Sequence, residues 1–298
     1  MPRALFVSYT GLGGGAERLL VDVARRLDPP PLIACPDGAL AESARAAGLR
    51  VLPLRERPID VRASARDRIA APLRIAGHAR EIRFLCRTLR PDTLVAWGMR
   101  SMLAAAAGAP ESQRVLFQHN DLLPPGATGR AVRRAARRAD KVVCVSGAVA
   151  RDLGLESAHV IHPGVDLDGF HPGPGGGHAL LLGAIVDWKR PEVAIEAAER
   201  AGVPLRIAGA PLGNDGEALE RRLRERAGPE VMFTGPISDP TAALREAGCL
   251  IHGSDVEPWG LVLVEALASG TPVVAPAAGG PAEIVTPECG VLYPPGDA

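Results

Sequence analysis

The chain opens with RALFVSY at residues 3–9, a short apolar run that ends in the turn Gly11-Leu12-Gly13-Gly14-Gly15-Ala16. Apolar residues then recur at Leu19, Leu20, Val23 and Leu27, the spacing of one helix face, until Pro29-Pro30-Pro31 stops the pattern. A second strand at 32–35 and a second helix at 40–47 repeat the unit. Strand alternating with helix predicts a parallel sheet covered by helices on both faces. The alternation continues through strands at 93–97, 114–118, 141–145 and 159–162, with Arg-rich helices over 74–90 and 130–139.

His171-Pro172-Gly173-Pro174-Gly175-Gly176-Gly177 has no side chain able to build a core and reads as a linker. The same grammar then restarts, with strands at 179–185, 205–208, 231–234, 249–252 and 272–275. Helices are expected at 191–201, 217–227, 241–247 and 260–269. The expectation is two tandem Rossmann-like doubly wound α/β domains facing across a cleft. They span 1–170 and 179–298, with a linker at 171–178. Ligands of open α/β sheets sit beyond the carboxyl ends of the strands.

A length of 298 residues suits two domains, and 47% hydrophobic residues exclude global disorder. No run approaches the roughly 18 to 20 apolar residues of a membrane span. Met1-Pro2-Arg3 does not begin a secretory signal. Cys35, Cys86, Cys144, Cys249 and Cys289 form no CxxC pair and read as small core residues in a reducing cytoplasm. A net charge of zero hides an asymmetry: residues 1–170 carry +8 and residues 171–298 carry −8. Lys141 and Lys189 are the two lysines among 34 basic residues.

Two motifs carry chemistry. Gly11 to Ala16 fits G-x-G-x-x-G/A, where glycine lets backbone approach a phosphate at a helix N-terminus. No Lys-Ser/Thr pair follows, so it is not a P-loop. A turn requiring positive φ explains it equally, and a nicotinamide-dependent oxidoreductase would want an acid where Asp37 follows Pro36. The second motif runs from Ser254 to Ala275, SDVEPWGLVLVEALASGTPVVA. Pro258 and Gly260 hold Glu257 on a loop, and Glu265 interrupts the apolar run that begins at Leu261. An unpaired buried carboxylate is costly, which favours a ligand-facing role for Glu265. Carboxylates only accept hydrogen bonds and so suit sugar hydroxyls, and the adjoining helix start suits a diphosphate.

These residues carry a resemblance. Glu-x7-Glu followed by Ala-Ser-Gly-Thr-Pro-Val-Val-Ala resembles the GT-B nucleotide-sugar glycosyltransferases of family 4. So do Gly14-Gly15-Ala16-Glu17-Arg18, Val145-Ser146, His162-Pro163-Gly164-Val165-Asp166, Trp188-Lys189-Arg190-Pro191, the segment 279–285 and the segment 290–297. The resemblance implies a retaining transferase that takes a nucleotide diphosphate sugar as substrate. It implies no metal and no resident cofactor, and no nucleic-acid partner. Catalytic roles fall to Glu257 beside the transferred sugar, Lys189 on the diphosphate and His119 near the sugar. Donor binding falls to Glu265 at the ribose, to Trp259, Gly260 and Leu261 through backbone N–H groups, and to Arg190. Gly235 and Ile237 fall at the nucleobase, and Gly13, Gly14 and Gly15 line the cleft.

Two departures stand out. Gly183 is followed by Ala184 where the family usually places an arginine, and the chain stops at Asp297-Ala298 where the family usually adds closing helices. A non-catalytic sugar-nucleotide-binding remnant therefore stands beside the transferase, as does the oxidoreductase on Gly11 to Ala16. Asp166-Leu167-Asp168 precedes the linker and is not taken as a metal site. Arg130, Arg133, Arg134, Arg137 and Arg138, with Arg74, Arg80, Arg83, Arg87 and Arg90, make the first domain basic. That is either a solvated surface or a peripheral contact with anionic membrane at the inner face.

Overall fold

The computed structural model describes residues 4–57, 65–237, 239–254 and 256–296, the side chains of 65–70 excepted. Arg3, Asp255 and the terminal Asp297-Ala298 lie outside the described residues. The chain divides into two compact units, 1–162 and 163–298.

The first unit holds β1 (Ala4–Val7), α1 (Gly15–Ala24), β2 (Leu32–Cys35), α2 (Ala39–Ala46), β3 (Arg50–Pro53), α3 (Ala65–Leu89) and β4 (Thr93–Trp97). It continues with α4 (Met99–Gly108), β5 (Arg114–His119), α5 (Ala127–Ala136), β6 (Lys141–Cys144), α6 (Gly147–Leu153) and β7 (Ala158–Val160). All pairings are parallel, in the order β3-β2-β1-β4-β5-β6-β7. Phe6 and Ile33 pack with Leu20, Ala24 and Leu40 of α1 and α2, while Leu5 and Val7, equally buried, alternate to the opposite face.

The second unit holds β8 (Ala179–Leu182), a 3-10 turn (Asp187–Lys189), α7 (Pro191–Ala201), β9 (Leu205–Ala208), α8 (Gly213–Arg226), β10 (Val231–Gly235) and α9 (Pro240–Arg245). Then come β11 (Cys249–Ile251), α10 (Leu261–Ala268), β12 (Val273–Pro276), α11 (Pro281–Ile284) and β13 (Gly290–Tyr293). Its sheet is also parallel, ordered β10-β9-β8-β11-β12-β13. Leu181, Ile195, Leu205, Ile207 and Leu219 form one core, and Leu180, Leu244, Leu250, Leu263 and Ala275 form the other.

Two differences from the sequence expectation have clear causes. The division falls at His162 and Pro163, ahead of the expected linker at 171–178, because that stretch packs within the second unit. Gly173 N–H donates to Ser269 O at 3.1 Å and Gly175 N–H to Arg245 O at 3.0 Å. Each sheet also has a topological switch, where one strand pairs with neighbours reached by crossovers running opposite ways. The switches are β1 between β2 and β4, and β8 between β9 and β11. Loops at the carboxyl ends of such strands diverge and leave a crevice.

Candidate active site

In the second unit the switch brings Lys189 to Glu257. Lys189 Nζ lies 2.6 Å from Glu257 Oε2, and both side chains are largely buried. Local hydrogen bonds make the approach. Ser254 Oγ donates to Trp188 O at 2.9 Å, and a Cβ on Gly253 would collide with Arg190 O. The loop after β11 thus lies directly on the turn that carries the lysine. Glu257 is braced from behind, since Gly280 N–H donates to Glu257 O at 2.9 Å. Side chains on Gly279 or Gly280 would strike the Glu257 or Trp259 backbone.

His252 joins this pair. Its Nε2 lies 3.2 Å from Glu257 Oε2. Tyr293 O–H donates to His252 O at 2.9 Å and steadies it. Burial alone would raise the Glu257 carboxyl, but the contacts with His252 and the Lys189 ammonium outweigh it and hold the group at about 2. The carboxylate is therefore ionised throughout the neutral range. His252 was missed from sequence, because a lone His at a strand end carries no spacing signal, and Ser254, the first residue of the second motif, was given no role there.

Trp259 is buried and donates its indole N–H to Pro163 O at 3.1 Å, so its side chain fastens the start of the unit. Gly260 has φ 99 and precedes α10, whose first residue is Leu261. Glu265 is 3% exposed inside that helix, and Ser269 Oγ donates to its carbonyl. Arg190, expected at the diphosphate, is in the left-handed region at φ 46 and its Nε donates to Glu192 at 2.8 Å on its own helix. Gly235 and Ile237 lie at the end of β10, two strands from β8. Gly235 O accepts from Gly209 N–H at 2.9 Å, and Ile237 packs on the second core. Gly183, Ala184, Lys189 and His252 line one small recess at the ends of β8 and β11.

In the first unit a cavity of about 650 Å³ opens at the carboxyl ends of β1, β4 and β5, on the switch. Ser8, Glu17, Arg100, Ser101, His119 and Asn120 bring polar atoms to its lining. His119 is fully buried, tilts against Phe117, and has no partner for either ring nitrogen among the described residues. Burial pulls its imidazole down to about 4, against a weaker upward pull from Asp152. His119 is therefore neutral, with one donor and one acceptor nitrogen.

Gly13, Gly14 and Gly15 are exposed and do not line this cavity, but Ala16 and Glu17 of the same helix start do. Glu17 accepts from Gly14 N–H at 3.0 Å and caps α1. A Cβ on Gly11 would sit 2.7 Å from Asp37 O, and one on Gly38 2.5 Å from Gly11 O, so these glycines let two loops touch. Asp37 itself pairs with Arg45 at 2.9 Å. The turn thus has a packing role that needs no nucleotide. Arg133, expected on the open basic face of α5, instead donates to Leu153 O at 2.8 Å and Asp152 O at 2.9 Å.

Comparisons with known proteins agree with this layout. Residues 13–168 match the family model described as Glycosyltransferase Family 4, and residues 176–298 match Glycosyl transferases group 1. D-inositol 3-phosphate glycosyltransferases of Mycobacterium bovis and Mycobacterium tuberculosis are 38% identical over 140 residues. That match covers 41% of this chain and 29% of theirs, so the chain spans under a third of those relatives' length. Among solved structures, Anabaena Alr3699/HepE in complex with UDP and glucose has a TM-score of 0.83 at 23% identity. That match covers 100% of this chain and 87% of the other. Sucrose-phosphate synthase of Thermosynechococcus elongatus has a TM-score of 0.80 at 18% identity, covering 99% and 86%. At such identities the likeness speaks for the fold alone. Two parallel-sheet units, each with a crevice at its switch, and two matched family models together place the chain among the GT-B glycosyltransferases, and it belongs to Glycosyltransferase Family 4.

Proposed function

We propose that the chain transfers a sugar from a nucleotide diphosphate sugar to an acceptor hydroxyl. The observation that carries this is the Lys189–Glu257 pair, held at 2.6 Å by loops at the second unit's switch point. A lysine is a compact point charge suited to phosphate, and an ionised carboxylate accepts from sugar hydroxyls. In this scheme the diphosphate captures Lys189 and the N–H groups of Gly260 and Leu261, and Glu257 turns to the sugar. Glu265 takes the ribose hydroxyls, and Gly235 and Ile237 flank the base. As the glycosidic bond breaks, charge grows on the diphosphate, and Lys189 with the α10 N-terminus stabilises it. Transfer proceeds with retention by front-face attack, the leaving diphosphate taking the acceptor proton. The acceptor occupies the cavity beside His119. No step uses a metal or resident cofactor.

The HepE complex with UDP and glucose makes UDP-sugars the first donors to try. Thermal-shift screening against UDP-, GDP-, ADP- and TDP-sugars, followed by donor hydrolysis, tests the proposal. Stabilisation by NAD and by none of these would overturn it. Binding without hydrolysis or transfer would favour the remnant, which Ala184 in the recess beside Lys189 motivates.

The basic first unit supports peripheral contact with anionic lipid at a cytoplasmic membrane face. Leu73 is 76% exposed and Phe84 66%. With Arg80 and Arg87 they fall on one face of α3, at about 100° per residue. None of the described helices is long and apolar enough to cross a membrane.

A further inference from the structure

We propose that His252 is a positioning residue of the reaction: its ring Nε2–H holds Glu257 Oε2 in place when Lys189 leaves for the diphosphate, so that Oε1 meets the donor sugar. The inference rests on the sugar-transfer scheme and adds a role that the scheme leaves unassigned.

Both partners of the Glu257 carboxylate address one oxygen. Lys189 Nζ lies 2.6 Å from Oε2, and His252 Nε2 lies 3.2 Å from the same atom. Oε1 has no donor among the described residues. The scheme sends Lys189 to the diphosphate, which takes away the shorter of the two contacts. An ionised carboxylate that is only 12% exposed is costly to leave unpaired. The remaining contact then decides where Glu257 points.

Mobility separates the two partners. Lys189 sits on a three-residue turn, its side chain is 29% exposed, and its four-carbon stem is flexible. His252 is pinned. Its side chain is 6% exposed, its N–H donates to Val274 O at 2.8 Å, and its carbonyl accepts from Tyr293 O–H at 2.9 Å. Those two bonds tie it to β12 and β13, so it stays where it is while the lysine swings.

Geometry also places the ring proton. A bare ring nitrogen 3.2 Å from a carboxylate oxygen would set lone pair against lone pair, so Nε2 carries the hydrogen in the neutral ring as in the charged one. An order of contacts follows. Without a donor, Lys189 and His252 share Oε2. With a donor, Lys189 pairs with the diphosphate, and His252 keeps Oε2 while Oε1 accepts from a sugar hydroxyl. Loss of the ring therefore reaches the sugar and spares the diphosphate.

Two measurements on the full chain test this. The first needs no donor: urea unfolding of Lys189→Met, His252→Leu and the double variant. Each single variant leaves Oε2 one partner and the double leaves none. The double should therefore shift the unfolding equilibrium about tenfold beyond the product of the two singles. The second is hydrolysis of UDP-glucose. His252→Leu should lower kcat about tenfold or more and leave UDP affinity within about twofold. His252→Gln, whose amide nitrogen stands as many bonds from Cα as Nε2, should restore most of kcat. An additive cycle overturns the proposal, as does a kcat untouched by Leu or not restored by Gln. If His252→Leu lacks a cooperative unfolding transition, NMR of the unaltered ring decides. The His252 Nε2–H resonance should move downfield in Lys189→Met, and an unmoved resonance overturns the proposal. A wild-type chain that does not hydrolyse UDP-glucose counts against the sugar-transfer scheme alone, because the cycle reads the hold on Glu257 without a donor.

Discussion

Ser254 Oγ donates to the Trp188 carbonyl at 2.9 Å, so the loop bearing Glu257 also holds the turn bearing Lys189. Ser254 is fully buried, and removing its hydroxyl removes this bond from the buried interior. Ser254→Ala should cost about 1 to 3 kcal/mol of stability in the second unit. It should also weaken UDP binding severalfold, because Lys189 loses its fixed position. Chemical denaturation and calorimetry on the same variant read both effects. A stability loss with unchanged UDP affinity would separate the tether from the site.

Glu265 is buried in a helix otherwise made of Leu, Val and Ala. Replacing it by Ala should weaken nucleotide-sugar binding by roughly ten- to hundredfold, the worth of a charged hydrogen-bond partner. Calorimetry with UDP-glucose measures this, and unchanged affinity would remove Glu265 from the donor site.

Ala184 lines the recess beside Lys189. Ala184→Arg should tighten binding of a nucleoside diphosphate more than that of the nucleoside, by up to about tenfold for one added charged hydrogen bond. Parallel titrations with UDP and uridine give the comparison. Equal effects would mean that the diphosphate already has its cations.

Acid should destabilise the two units in different pH windows. Burial pulls His78 and His119 from 6.5 down to about 4. The unfolded chain then binds protons first as pH falls. The stability of the neutral imidazoles is complete above about pH 6.5 and is lost toward pH 4, on the order of 3 kcal/mol each. Glu257 has a depressed carboxyl, at about 2 against 4.5. Its contribution is complete above about pH 4.5 and is lost as pH falls toward 2. Urea unfolding at pH 7.5 and pH 5 should show the histidine window. His78→Phe, which keeps a ring against Tyr9, should flatten the slope by about half. An unchanged slope would show that the window belongs to other groups.

Leu73 and Phe84 stand out from a helix face that also carries Arg80 and Arg87. Cosedimentation with anionic vesicles should be strong at low salt and weak at high salt, since each Arg near the surface adds about 1 kcal/mol. Replacing Leu73 and Phe84 by Glu should abolish it. A chain that stays in the supernatant at low salt works on a dissolved acceptor.

Apolar runs and glycine turns made most of the fold legible. The elements that escaped include β3, α4, α11 and β13. The strand β3, RVLP, is an edge strand, exposed at both ends and half-buried between, with too few apolar residues to stand out. The helix α4, MRSMLAAAAG, is packed on so many sides that no amphipathic period survives. Lys189 and Glu257 could be named because they sit in spaced motifs. Their brace, Ser254 and His252, could not, since it depends on three-dimensional loop contacts between residues 66 and 41 positions apart in sequence.

At both switch points the ligand-side loops rest on one another through main chain. Gly11 meets Gly38 in one unit, and Gly279 and Gly280 meet the Glu257–Trp259 backbone in the other. Contacts of this kind are indifferent to which side chains the loops display, provided those four positions stay bare. Laboratory evolution of donor or acceptor preference should accordingly tolerate wide randomisation at Thr10, Leu12, Val256 and Ala278. Libraries that also vary the four glycines should lose most of their members to misfolding before selection begins.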